Sequence, residues 1–110
     1  MDEYTVKITS QAEEHLQEIT RYITHELKAP EAAFHLLNSL ESSFASLKHF
    51  PKRASLVEYE PWHSNGVHFI PVKNFLVYFW IDEINLNVQI FAVIYAKRDQ
   101  LHQLSQMDLE

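Results

Sequence analysis

Between positions 66 and 99 the chain reads GVHFIPVKNFLVYFWIDEINLNVQIFAVIYAKRD, a stretch that few folds can accommodate. It holds three apolar runs of strand length, interrupted at Lys73-Asn74 and again at 83–87. Phe75, Val77, Phe79 and Ile81 alternate with Leu76, Tyr78, Trp80 and Asp82, the period of two that a strand imposes. Val88, Ile90, Ala92 and Ile94 alternate in the same way with Gln89, Phe91, Val93 and Tyr95. β-branched and aromatic residues dominate both runs, as a pleated, largely buried surface favours. Asn74 suits a positive φ in a tight turn, and Asn85 and Asn87 suit the longer connection. The pattern predicts an antiparallel meander with strands at 67–72, 75–82 and 88–95. Its middle strand is apolar on both faces nearly to its end, so either both faces are covered or one is a docking surface.

The rest of the chain supplies a cover. Tyr4, Val6 and Ile8 alternate with polar residues and predict a half-buried first strand. Ser10 to Glu13 fits a capping box, with the Ser10 hydroxyl on the Glu13 amide. Ala12, Leu16, Ile19, Ile23 and Leu27 then form one apolar stripe over a helix at 11–28. Pro30 suits the first turn of a second helix at 30–49, with Ala33, Leu37, Leu40, Phe44 and Leu47 as its stripe and Pro51 as its stop. The two helices make an antiparallel hairpin whose apolar face needs the meander. The expected architecture is α+β, with that hairpin on one face of a four-stranded sheet. Residues 51–66 hold two prolines and the chain's only glycine, and predict a long irregular loop of the kind that often carries function. Leu101, Leu104 and Met107 predict a short, weakly anchored terminal helix.

At 110 residues the chain is expected to be one domain, 1–110, able to bury a core without cross-links. It has no cysteine, which excludes disulfides and thiolate zinc sites. No apolar run is long enough to span a bilayer and the first residues show no signal pattern, so a soluble, cytoplasmic protein without membrane contact is expected. The net charge of −6 argues against non-specific adhesion to nucleic acid. The charge is uneven, however: Lys48, Lys52, Arg53 and Lys73 face only Glu58 and Glu60, leaving room for a positive patch beside the sheet.

The order strand, helical hairpin, loop, meander, basic cluster resembles the RelE/ParE family of bacterial type II toxins over nearly the whole chain. Tyr4, Val6, Ile8, Ala12 and Glu13 look like the family's first strand and helix start. Ala29-Pro30-Glu31-Ala32-Ala33 with Leu47, Phe50 and Pro51 looks like its helical hairpin, in the longer form typical of the ParE side. Gly66-Val67-His68 and the run from Pro71 to Asp82 resemble its second and third strands, and Ala96-Lys97-Arg98-Asp99 its basic close. The resemblance implies a growth-inhibiting, plasmid-stabilising toxin neutralised by a small antitoxin within a toxin–antitoxin hetero-oligomer. The ParE side is associated with blocking DNA gyrase, and the RelE side cuts mRNA in the ribosomal A site without a metal. The acidic charge, the long helical hairpin and the missing basic residue at Phe75 favour the ParE side, and three departures from the family pattern bear on the choice. His68 stands where arginine is frequent, Phe75 where the ribonuclease branch is basic, and Leu101 and Leu104 where some ribonucleases carry a tyrosine.

Metal-free RNA cleavage needs a base, an acid and cations for the phosphorane charge. Under that reading the catalytic candidates are His68, Arg98 and Arg53, since imidazole titrates near neutrality and guanidinium grips phosphate through two bonds. Each has a plainer reading. His68 packs beside Phe69 or Tyr59, Arg98 pairs with Asp99 or Glu58, and Arg53 with Lys52 follows a helix end whose dipole favours cations. Under the binding reading, Arg98, Lys97 and Tyr95 meet the target, while Trp80, Tyr78 and Phe91 meet the antitoxin. His15, His25 and His35 have no histidine at i+4, and His63 or His68 with Glu58 or Glu60 on an irregular loop is weak support for a metal, so neither metal nor cofactor is expected. Three functions remain open: a gyrase-directed binding toxin, favoured; a ribosome-dependent endoribonuclease; and a non-toxic antitoxin-binding module.

Overall fold

The computed structural model describes residues 3–98 and 100–106. The chain opens with β1 (Thr5–Ile8), then α1 (Ser10–Arg21), whose last turn widens into a π-helical turn over Tyr22–Glu26. α2 (Pro30–Ser46) returns antiparallel, followed by a short 3-10 turn at Pro51–Arg53 and a two-residue strand β2 (Ser55–Leu56). β3 (Val67–Val72), β4 (Phe75–Asp82) and β5 (Asn87–Tyr95) form the expected meander, and α3 (Gln100–Ser105) closes the chain. The sheet order is β1-β5-β4-β3-β2, with β1 parallel to β5 and the other neighbours antiparallel. The α+β architecture is as expected, with a fifth strand added. Ser55 and Leu56 pair with Phe69 and His68, so the loop at 51–66 is partly ordered by the sheet edge.

Several local expectations are corrected. The helix cap is Thr9, whose hydroxyl accepts from the Ala12 amide at 3.1 Å, and not Ser10. Thr9 also donates its own amide to Ile90 at 2.9 Å, so the last residue bonded to the sheet is the one that starts the helix. The helix at 11–28 is not uniformly α. Leu27 donates to the Tyr22 carbonyl, five residues back, and the extra residue in that turn rotates the residues beyond it by roughly 100°. Leu27 therefore leaves the stripe and stands 56% exposed. On α2 the stripe runs Ala33, Leu36, Leu40, Phe44, Leu47, with Leu36 buried where Leu37 was expected and Leu37 only half-buried. The positive φ angles of the hairpin turns fall on Lys73 and Leu86 instead of the asparagines. Lys73 holds the first of two central positions, the one a type II′ turn requires at positive φ. In the second turn Asp82 accepts from the Ile84 and Asn85 amides, each at 3.1 Å, which leaves the reversal to Leu86.

Two apolar layers sandwich the sheet. One lies under the helical hairpin, where Ala12, Leu36, Leu40, Phe44 and Leu47 meet Val77, Phe79, Ile81, Val88 and Ile90. The other joins Val57, Trp62, Val67, Tyr78, Phe91 and Ile94 to Leu104 of α3. The doubly apolar middle strand is thus covered on both faces. α3 is better anchored than expected: Leu104 is buried, and the Tyr78 hydroxyl donates to the Gln100 side chain at 2.7 Å. Met107 and the side chain of Leu101 lie outside the described residues. Among the described residues no helix is long and apolar enough to cross a membrane.

β5 departs from its expected alternation in one place. Tyr78 faces Ala92 but Phe79 faces Ile90, so Phe91 is an extra residue, a bulge. Before it, Val88 and Ile90 face the hairpin; beyond it, Val93 takes that side, while Ala92 and Ile94 join the opposite layer.

Candidate functional site

The bulge determines where the sheet is left open. β1 pairs with β5 only as far as Ile8 opposite Ile90. Past that point β5 has no strand on this side, and the bulge turns its next backbone groups outward. Side chains from α1 stand in for the missing strand. Gln11 donates to the Phe91 carbonyl at 2.8 Å, and the Val93 amide donates to His15 Nδ1 at 3.2 Å. The neutral His15 ring accepts through Nδ1, which puts its proton on Nε2. Burial pushes the His15 pKa down, against the upward pull of the Glu18 and Glu14 carboxylates.

Between this edge and the helix lies a cleft of about 800 Å³. Its helical wall is His15, Glu18, Ile19, Tyr22, Ile23 and Leu27, and its sheet wall is Asn74, Phe75, Val93, Ile94 and Tyr95. Arg98 and Gln103 stand at its mouth. The turn that carries Arg98 is tied back on itself. The Arg98 amide and Gln100 Nε2 both donate to the Tyr95 carbonyl, at 3.0 and 2.9 Å, and Gln100 also donates to the Arg98 carbonyl at 2.8 Å. The backbone is held while the guanidinium stays exposed, with no ion pair to Glu58 or any other carboxylate among the described residues. Asp99, its other expected partner, lies outside them. Tyr95 packs its ring against Phe75 at 5.7 Å and is 37% exposed. The arrangement offers an exposed guanidinium on a tied backbone, two phenols, a carboxylate and a neutral imidazole around an apolar floor, suited to gripping an anionic group on a partner.

The model of the ParE toxin of type II toxin–antitoxin systems matches residues 6–100. The chain belongs to the ParE toxin family. Solved structures agree on the fold. The chromosomal ParDE system of Pseudomonas aeruginosa superposes with a TM-score of 0.69 at 18% identity, covering 86% of this chain and 97% of that one. The toxin–antitoxin complex RelBE2 of Mycobacterium tuberculosis gives 0.61 at 21% identity, covering 88% and 97%. An arginine-to-alanine double mutant of the Escherichia coli toxin RelE in the free state gives 0.58 at 8% identity, covering 92% of each chain. No curated protein matches.

This ParE-family toxin does not bring the ribonuclease candidates together. His68 lies on β3 opposite Phe79, its ring stacked on that phenyl at 5.9 Å and its Nδ1 3.0 Å from the Gly66 carbonyl. It packs on Phe79, where Phe69 or Tyr59 was expected. From the Arg98 end of the sheet it is four residues along and two strands across, on the order of 15 Å away. Arg53 is engaged elsewhere: its guanidinium donates to the His49 carbonyl at 2.6 Å, the Phe50 carbonyl at 3.0 Å and Ser46 Oγ at 2.9 Å, closing the end of α2. Lys52 pairs with Glu83 at 2.6 Å. Lys97 is exposed in the turn beside Arg98. Of the three aromatics expected to meet an antitoxin, Trp80 is half-exposed, whereas Tyr78 and Phe91 are buried beneath Leu104 and Trp62. His63 places Nδ1 3.0 Å from the Val57 carbonyl and Glu60 binds Ser64, and no cluster of three metal-ligating side chains occurs among the described residues.

His15 is the site residue that reading the sequence missed. The signal was present: Gln11, His15, Glu18 and Tyr22 recur at steps of 4, 3 and 4, a polar stripe one position behind the apolar one.

Proposed function

We propose that this ParE-family protein is a growth-inhibiting toxin that acts by binding DNA gyrase, without chemistry of its own, and that a cognate antitoxin neutralises it. Two of the similar structures are a ParDE system and a RelBE2 complex, which supports an antitoxin partner. The observation that carries the binding mechanism is the position of Arg98. It presents an exposed guanidinium at the cleft mouth beside Lys97 and Tyr95, while His68 and Arg53 are engaged at a distance from it. A metal-free nuclease needs its base and its cations around one phosphate. A binding toxin needs only a rigid charged patch.

The test is Arg98→Ala, expressed from a tight promoter beside the wild type, with growth, DNA-damage signalling and mRNA ends followed in parallel. Growth arrest with damage signalling and intact transcripts is expected of the wild type. The variant is expected to lose toxicity while its stability changes by less than about 0.5 kcal/mol. Arg98→Lys rescues little, because lysine keeps the charge and loses the fork. Cuts phased with codons on translated mRNA would establish the ribonuclease instead. No growth defect from the wild type would leave only the binding module.

A further inference from the structure

We propose that Gln100 positions Arg98 and that the buried Tyr78 phenol sets Gln100, so that the turn presenting the guanidinium is shaped from inside the sheet. The inference rests on the reading that Arg98 meets the target, and deepens it by naming the residues that make Arg98 fit to do so.

The turn has little else to hold it. The Arg98 amide closes it on the Tyr95 carbonyl at 3.0 Å, and every residue from Tyr95 to Arg98 is exposed. Its first half is steadied by the Ala96 amide on the Asn74 carbonyl at 2.8 Å and by the Tyr95 ring on Phe75. Its second half, Lys97 and Arg98, buries no side chain. What reaches it is Gln100. Nε2 of Gln100 donates to the Arg98 carbonyl at 2.8 Å and to the Tyr95 carbonyl at 2.9 Å. One amide nitrogen thus clamps the first and last carbonyls of the turn, and uses both of its hydrogens to do so.

A long side chain makes a good clamp only when its own rotamers are held. Gln100 is half-buried, and its Oε1 accepts from the Tyr78 hydroxyl at 2.7 Å. That bond sets which end of the amide faces the turn, with oxygen toward the phenol and nitrogen toward the carbonyls that need a donor. Tyr78 is the rigid end of the chain of bonds. It is 3% exposed on β4, the middle strand of the sheet, with the Phe69 and Phe91 rings at 5.8 and 6.4 Å. Order therefore passes from the core to Gln100 and from Gln100 to the backbone of Arg98. Without the clamp, a partner that grips Arg98 has to order the turn as it binds, and that cost lowers affinity.

The full toxin is compared as wild type, Gln100→Met, Tyr78→Phe, the double variant and Arg98→Ala. Methionine keeps the length of glutamine and lacks the amide. Nitrogen relaxation on the purified proteins reports the backbone order of Lys97 and Arg98. In cells, the amount of folded toxin needed to arrest growth is measured. Gln100→Met is expected to lower the order at both residues and to raise the arresting dose roughly tenfold, the scale of ordering one turn residue on binding. Tyr78→Phe is expected to do the same to a smaller degree. The double variant is expected to do no more than Gln100→Met alone, because the phenol acts through the amide. A change in only one of the readouts overturns the proposal, and so does a change in neither; additive losses overturn the link from Tyr78. Should Gln100→Met fail to fold, Tyr78→Phe decides by the same readouts. In all these cases a non-toxic Arg98→Ala leaves the reading of Arg98 standing. No arrest by the wild type, or an Arg98→Ala as toxic as the wild type, overturns both.

Discussion

Arg53→Ala separates two roles that the sequence leaves open, and its cost can be worked from the contacts. The guanidinium donates to the carbonyls of His49 and Phe50 at 2.6 and 3.0 Å and to Ser46 Oγ at 2.9 Å, with a longer contact to the Ser46 carbonyl at 3.4 Å. These groups lie at and just beyond the end of α2, where carbonyls lack helical partners. The site is exposed, so water competes, and each of the two short carbonyl bonds is worth about 0.5 kcal/mol, the low end for such bonds. A cation at a helix C-terminus adds about 0.5 kcal/mol. Phe50, at φ 49°, is the left-handed residue that these bonds span, so losing them also loosens the reversal into the 3-10 turn. The total is about 1.5 kcal/mol. At roughly 4 °C per kcal/mol for a chain of this size, the melting temperature falls by roughly 6 °C. Growth arrest per folded molecule stays at the wild-type level. Arg53→Lys lands between the two, since an ammonium meets one carbonyl at a time. The assay is thermal melting by circular dichroism, paired with growth arrest normalised to folded protein. An unchanged melting temperature with lost toxicity would refute the capping role and return Arg53 to the target surface.

Leu36→Ala is expected to cost about 2–5 kcal/mol and Leu37→Ala clearly less, because Leu36 is the buried member of the pair; equal shifts of the denaturation midpoint would contradict the packing. His15 is held below its ordinary pKa by burial, so the unfolded chain takes up the proton first as pH falls. The stability this contributes is complete above about pH 6.5 and is lost as the pH falls through the folded value, and His15→Gln should flatten that acid-side slope in pH-dependent melts. The Tyr78 phenol is pushed up to about 12 by burial, so its contribution is complete below about pH 10 and is lost as pH rises toward the folded value. Tyr78→Phe should remove that alkaline dependence, and faster proteolysis within α3 should report the lost bond to Gln100.

The α+β layering was legible because period is a strong signal where it lasts. Phe75, Val77, Phe79 and Ile81 do face the hairpin, and Leu76 and Tyr78 face away, as strict alternation requires. The errors fall where one inserted residue resets a period. The bulge at Phe91 moves Val93 to the hairpin side, and the π-turn after Arg21 moves Leu27 off the stripe. Neither insertion alters composition or hydropathy, so nothing in the pattern marks it. Leu36 and Leu37 are both leucines on adjacent positions of one helix, and only the direction of approach of the sheet distinguishes them. β2 owes its two residues to pairing with β3 and carries no strand period of its own.

The site was half legible, and the missing half has a single physical origin. Arg98 stood out because a charged cluster directly after an apolar strand has to sit at the sheet's rim. That the rim is open at that point depends on the difference in length between β1 and β5. β1 stops at Ile8 because Thr9 leaves the sheet to cap α1, and β5 runs on to Tyr95. The unpaired length is therefore a consequence of a helix cap some eighty residues away in sequence. Gln11 and His15 are the response to it, since backbone groups turned toward the helix need partners, and two polar side chains one turn apart on α1 supply them. They reach Phe91 and Val93 and no further, because past His15 the wall of the cleft presents Glu18, Ile19 and Tyr22, none of which is bonded to the strand. The position where α1 ceases to satisfy β5 is the position where the cleft opens, and Arg98 stands beside it. An edge half-closed by side chains of its own helix and open to the cleft beyond them is what strand, cap and bulge produce together, and none of the three implies it alone.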